Sequence, residues 1–184
     1  MVQPGEAEGV LKEAYDWQAE RLGEPTDFTM VGSLYPELVM ERLRLYKVVE
    51  DCPSKLSEVE RQLAGYVTSL LNATTHCGSG LRIKLDALGA DRAVLEGVEA
   101  DPTRPQTGDG RLDVICRHAA KLTLAPAGMN EPDIEALREV GLDDLDILDL
   151  NNVVAYYNYL NRVSNGLGLF DAIPAEHALR AIPR

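Results

Sequence analysis

The chain has 184 residues, 45% of them hydrophobic, and sets 18 lysines and arginines against 30 aspartates and glutamates, a formal charge of −12. That length suits a single domain, 1–184, able to bury roughly 70% of its unfolded surface with no disulfide or metal staple. A surface this acidic, with no basic cluster to offset it, disfavours nucleic acid and anionic membrane as partners.

Cysteine usage points the same way. Cys52, Cys77 and Cys116 are three in number, and an odd count suggests reduced thiols and a cytoplasmic setting. The opening MVQPGEAEGVLKEAYDW has no apolar core behind a basic start, so no signal peptide is expected. No apolar run is long enough to span a bilayer.

Taken in chain order, the periodicity is helical. Glu6 to Leu22 places Val10, Leu11, Ala14, Trp17 and Leu22 near a 3.6-residue repeat. Ser33 and Tyr35-Pro36-Glu37 open a second helix running to about Val49, and Pro53 ends that region. Ser57 and Glu60 form the S-x-x-E capping box of a third helix, to about Asn72, whose apolar residues surround most of its circumference. After a break at Ala73 to His76, a helix from about Cys77 to Leu88 stops at Gly89. Asp91 to Glu99 reads as a short helix, and DPTRPQTGDG, Asp101 to Gly110, as the strongest loop. Leu112 to Leu124 is helical again, and Asn130-Glu131-Pro132 opens a helix closed by Gly141. Asp143 to Asn165 is a long helix ended by Gly166, with a last turn expected near Ala175 to Ala181. Alternating strand patterns are absent, so the fold class is all-α. Aligning Asn72 with Asn161 matches Leu71 with Leu160, Ser57 with Asp146 and Glu60 with Asp149. Coincidence accounts for this echo more readily than a duplicated helical hairpin.

One stretch carries chemistry. In NATTHCGSGL, Cys77 follows His76 at the first turn of a helix, where free N–H groups and the helix dipole stabilise an anion. Such a position lowers a thiol pKa. His76 is placed to add charge or move a proton, and Gly78 and Gly80 allow close approach of a ligand or another backbone. Cys52 and Cys116 read as small buried hydrophobes. His118 lies in an apolar helix and reads as a satisfied core or interface residue, and His177 lies in the tail. No metal-ligand spacing, glycine-rich nucleotide motif or Walker pattern occurs, so neither a metal nor a cofactor is expected.

Two segments then carry a resemblance. SEVERQLAGYVTSLLNATTHCGSGL resembles the active-site helix-turn-helix, here about 57–89, of the AhpD-like alkylhydroperoxidases and carboxymuconolactone decarboxylases, and most closely their peroxidase-related branch. EPDIEALREVGLDDLDILDLNNVVAYYNYLNRVSNGLGLF is similar too, above all at Tyr157-Asn158-Tyr159-Leu160-Asn161-Arg162 and Asn165-Gly166-Leu167-Gly168. The resemblance implies an all-α fold of packed helical hairpins and a homo-oligomer, a trimer or hexamer. The family motif has a glutamate, a C-x-x-C pair, and a histidine four residues after the second cysteine. Here those positions hold Gln62, Thr74 with Cys77, and Leu81, while His76 before the cysteine is a type the family also uses.

Those departures set the chemistry. Thr74 cannot resolve a sulfenic acid as a second thiol would, so a two-cysteine cycle within the motif is excluded. Gln62 can hydrogen-bond but is no general base, and apolar Leu81 opposes ionisation of the thiol. Three functions stay open. The first is a one-cysteine peroxidase, with Cys77 as nucleophile, His76 as proton partner, Thr74 and Gln62 as hydrogen-bond donors, and an external thiol as reductant. The second is a cofactor-free decarboxylase or lactone-type enzyme acting on a small organic acid. The third is a non-catalytic binding or structural protein.

Overall fold

In a computed structural model that describes residues 1–175, the described residues are helical, with no strand. The last turn expected near 175–181 falls, beyond Ala175, outside the described residues, as does His177. The helices are α1 (Gly9–Leu22), α2 (Asp27–Met30), α3 (Pro36–Glu50), α4 (Glu58–Leu71), α5 (Thr75–Ala87), α6 (Arg92–Ala100), α7 (Gly110–Leu124), α8 (Glu131–Glu139) and α9 (Asp144–Gly166).

Local chemistry explains most boundaries. Ser57 Oγ accepts the Glu60 N–H at 3.2 Å while Glu60 Oε2 accepts the Ser57 N–H at 2.7 Å, completing the capping box of α4. Asp143 and Asp146 cap α9 in the same reciprocal way. Gly89 and Gly141 end their helices with φ of +75° and +87°, a region that costs other residues strain. Short α2 went unforeseen: its Thr26 cap and four residues carry too little periodicity to register.

The α9 cap corrects the internal echo. The alignment put Asp146 opposite the capping Ser57, but the cap is Asp143, one turn earlier. Helix α4 stops at Leu71, whereas α9 runs past Leu160-Asn161 to Gly166.

Helix α4 is the central element. Nearly every residue from Gln62 to Ser69 is buried, and α4 packs against α5, α7 and α9. It runs alongside α9 in the same direction, since the contacts Gly65–Tyr157, Ser69–Asn161 and Asn72–Asn165 advance together along both helices. The Tyr157 ring lies 2.6 Å from where a Gly65 Cβ would sit, Ser69 Oγ donates to Asn161 Oδ1 at 3.2 Å, and Asn72 Nδ2 donates to Asn158 Oδ1 at 2.9 Å. Any side chain at position 65 would expel the tyrosine. The principal core gathers residues of α4 to α9, while α1 and α3 pair with each other and reach it mainly through α3 against α9.

The long helix α9 divides its apolar residues between two environments. Ile147, Leu150, Val153, Val154, Tyr156, Tyr157 and Leu160 are core, whereas Leu145, Leu148 and Tyr159 are exposed. No helix of the described residues is long and apolar enough to cross a membrane.

Candidate active site around Cys77

The turn between α4 and α5 places the site. Ala73 adopts φ +51°, unusual for a residue with a Cβ. It reverses the chain so that Thr74 N–H reaches Ser69 O at 3.0 Å and α5 begins at Thr75. Asn165 Nδ2 donates to Asn72 O at 2.9 Å, fastening the turn to the end of α9. Cys77 therefore sits in the first turn of α5, which begins slightly earlier than its expected start.

A cavity of about 170 Å³ opens beside the thiol. Its α5 wall is His76, Cys77, Gly80, Leu81 and Lys84, and its α9 wall is Tyr156, Tyr157 and Leu160. Phe28, Arg42 and Tyr46 close the side formed by α2 and α3. The alternation is helical: Cys77, Leu81 and Lys84 stand at i, i+4 and i+7, one face of α5.

The thiol itself is not acidic. Cys77 Sγ lies 3.8 Å from Ser164 Oγ. That hydroxyl lowers the thiol pKa, but desolvation by burial outweighs it and pushes Cys77 up to about 11. The lowered pKa expected at a helix start does not hold here, because apolar walls surround the sulfur. Cys116 is buried in the core and pushed up to about 12, and Cys52 is raised by burial as well. Neither lines the cavity, and all three cysteines are free.

His76 Nδ1 lies 3.0 Å from the carbonyl of Asp171, which can only accept. Nδ1 therefore carries a proton in this contact. The same C-terminal segment continues across α5: Ile173 N–H donates to Ser79 Oγ at 2.8 Å, and Ile173 Cδ1 lies 2.9 Å from where a Gly80 Cβ would be. Gly80 thus admits a segment of its own chain, whereas a Cβ at Gly78 would meet only Ser69 at 4.0 Å.

The other two candidates are not on the cavity wall. Thr74 is buried, with its hydroxyl 3.4 Å from Asn72 O, and it lines a shallow depression on the opposite side of α5 with Ser69 and Gly78. Gln62 is buried behind Tyr157. Tyr157 Oη donates to Gln62 Oε1 at 3.5 Å, and Gln62 Nε2 donates to Glu50 Oε2 at 3.0 Å. Glu50 Oε2 lies 3.9 Å from Lys84 Nζ. A carboxylate, a lysine and an arginine thus belong to this region, and sequence reasoning missed all three. Their signal was present in the spacing: Arg42, Tyr46 and Glu50 recur at i, i+4 and i+8 of α3, and Lys84 interrupts an otherwise apolar face of α5.

His118 also departs from expectation. It is buried in α7 and burial lowers its pKa, yet neither ring nitrogen has a hydrogen-bond partner among the described residues. Among those residues no three histidine, cysteine or acidic side chains gather as a metal would require.

No protein-family model matches the chain, and no curated protein is similar enough to match it. Solved structures do. A peroxidase-related protein from Silicibacter sp. TM1040 superposes with a TM-score of 0.75 at 28% identity, over 87% of this chain and 85% of that one. An alkylhydroperoxidase AhpD core, a peroxidase-related protein from Ralstonia eutropha JMP134, gives 0.79 at 18% identity over 100% and 99%. The debrominase Bmp8, as a cysteine-to-alanine variant in complex with 2,3,4-tribromopyrrole, gives 0.74 at 13% identity over 97% and 94%, so the same fold hosts another chemistry. With its helices in this arrangement and the α4–α5 turn bearing the cysteine, the chain has the AhpD-like, all-helical fold of these peroxidase-related proteins.

Proposed function

We propose that the protein reduces organic hydroperoxides by a one-cysteine cycle, with Cys77 as nucleophile and an external small thiol as reductant. The observation that carries this reading is that Cys77 is the single thiol lining the largely apolar cavity, with His76 beside it in sequence and on the same wall, held through Nδ1 by the Asp171 carbonyl. In the first step the Cys77 proton passes to His76, the sulfur attacks the distal peroxide oxygen, and the O–O bond breaks. Cys77 becomes a sulfenic acid, and the alkoxide takes the proton to leave as alcohol. One external thiol condenses with the sulfenic acid, releasing water and leaving a mixed disulfide. A second thiol attacks that disulfide, restoring Cys77 and releasing the oxidised reductant.

In this reading Gln62 acts only through Tyr157, and Thr74 supports the turn. Neither offers a hydrogen bond to the reacting atoms. With a thiol pKa of about 11, about one molecule in 10⁴ is ionised at neutral pH. Turnover is therefore slow unless the substrate brings the proton transfer about. The raised pKa is also what favours the second reading, a non-catalytic binding protein that retains the cavity alone. The test is hydroperoxide consumption with thiol donors, together with trapping of the sulfenic acid by a dimedone probe. Consumption and trapping lost in Cys77→Ser but kept in Cys52→Ser and Cys116→Ser support the peroxidase. No consumption by wild type with any donor leaves the binding protein.

The same proposal places the chain in the cytoplasm, where thiol reductants are abundant, as a trimer or hexamer. Exposed Leu38, Leu45 and Val48 on α3, and Leu145, Leu148 and Tyr159 on α9, supply apolar surface for such an assembly.

A further inference from the structure

The walls of the Cys77 cavity are mostly apolar and aromatic, with His76, a few uncharged polar side chains and two buried cations, Arg42 and Lys84, among them. The Lys84 side chain retains 7% of its exposure, and Arg42 as a residue retains 6%. A buried cation is costly unless it is paired and fully hydrogen-bonded. Here each condition is met only in part. Among the described residues Lys84 Nζ donates no hydrogen bond, and its nearest carboxylate oxygen, on Glu50, stands 3.9 Å away. That oxygen also receives the Gln62 amide. Arg42 gives one N–H to the Phe28 carbonyl at 2.7 Å and stacks its guanidinium on the Phe28 ring, 4.1 Å from the centroid. Its remaining polar neighbours are Tyr156 and Tyr159, the latter in a side-chain hydrogen bond, and no carboxylate pairs with it among the described residues. Lys84 thus has only a distant pairing with Glu50 and the weaker field of Glu58, and Arg42 has no carboxylate partner among the described residues, in a protein whose overall charge is −12. The cavity is a local inversion of the surface.

We infer that the cavity binds a small organic anion, a carboxylate with a compact apolar or aromatic body. The carboxylate would take the free donors of Lys84 with the field of Arg42 behind it, and the body would lie against Leu81, Tyr156 and Leu160. Charge-assisted hydrogen bonds of this kind are the strong ones, and a low-dielectric wall strengthens them further. This rests on the Cys77 reading only for calling the ligand a substrate, namely a hydroperoxide that carries a carboxylate. The binding claim stands apart from turnover.

The test is calorimetric titration of Cys77→Ser protein, which cannot turn over, with benzoate and octanoate against benzyl alcohol and octanol. The carboxylates are expected to bind about tenfold or more tightly than the alcohols of the same shape. In the Lys84→Met background that preference should shrink to about unity while alcohol binding persists, because the methionine keeps the apolar volume. Equal binding of acid and alcohol, or a preference unchanged by Lys84→Met, overturns the inference. The comparison of ligands on one protein needs no further variant, so it decides the matter even if Lys84→Met does not fold. Carboxylate binding without any peroxide consumption by wild type supports this inference while the peroxidase reading fails. Consumption without the charge preference does the reverse.

Discussion

Alkylation of Cys77 against pH is the most direct test of how the fold treats this thiol. A free cysteine, with a pKa near 8.5, is about 3% ionised at pH 7. Cys77, pushed up to about 11, is ionised to about one part in 10⁴, so its iodoacetamide rate should be slower by about two to three powers of ten before any steric barrier. The rate should climb about tenfold per pH unit from 7 to near 11, with no inflection around neutrality. The Ser164 hydroxyl opposes that rise, so Ser164→Ala should push the pKa further up and slow labelling at every pH below it. Mass spectrometry of the Cys77 peptide over a pH series reads both. An inflection near pH 7, or a rate at pH 7 matching a free thiol, would refute the claim that desolvation dominates and would restore the helix-start argument.

Other consequences follow from the same geometry. Cys77 and Cys116 both have folded-state pKa values above the free-thiol value, so the stability they confer is complete below pH 9 and falls as pH rises toward 11 and 12. Urea midpoints should drop across that window, by on the order of 2–3 kcal/mol for Cys77 alone, and a flat profile would contradict it. Gln62→Glu puts a second carboxylate where Gln62 now donates to Glu50 at 3.0 Å. It should cost about 1–3 kcal/mol at pH 7. One of the two carboxyls has its pKa raised, so the loss should recover as pH falls through that raised value; a variant as stable as wild type at neutral pH would show the pair to be better solvated than this. Ala73→Gly relieves φ +51° and should raise stability by about 0.5–1 kcal/mol in chemical denaturation, whereas a loss would mean the alanine methyl packs usefully. Light scattering should give a mass three or six times the 20.2 kDa chain, and a value near the chain mass would assign the exposed α3 and α9 residues to solvent.

The all-α class, most helix boundaries and the Cys77 turn were legible in the sequence because each rests on local signals. Ser57 and Glu60, Gly89, Gly141 and the Pro-opened α3 act within a few residues of themselves. The electrostatics of the site were not legible, because they depend on which elements meet. Arg42, Tyr46 and Glu50 mark one face of α3, but nothing local says that this face meets Lys84 on α5 and Gln62 on α4. The raised Cys77 pKa failed for the same reason. The helix start is local and visible, while the desolvating walls come from α2, α3 and α9. Thr74 and Gln62 were carried over by motif position, and position fixes where a residue stands on its helix rather than which neighbour shields it. Tyr157 stands between Gln62 and the cavity, and only the close approach at Gly65 puts it there.

That arrangement bears on why the site departs at several positions at once from the motif it resembles. A glutamate at position 62 would confront Glu50, so Gln62 and Glu50 are compatible where two glutamates are not. Glu50 in turn sits 3.9 Å from Lys84, whose burial already lowers its pKa; without that carboxylate the lysine would be still harder to keep charged. Glu50 therefore favours the charged form of the one cation on the α5 wall. Leu81, one turn before Lys84, is buried and puts an apolar side chain on the same cavity wall, where a histidine would bring a competing polar group. The substitutions at 62 and 81 thus belong together with Glu50 and Lys84. Together they set a buried lysine, with one carboxylate 3.9 Å away, into a largely apolar wall beside the Cys77 thiol.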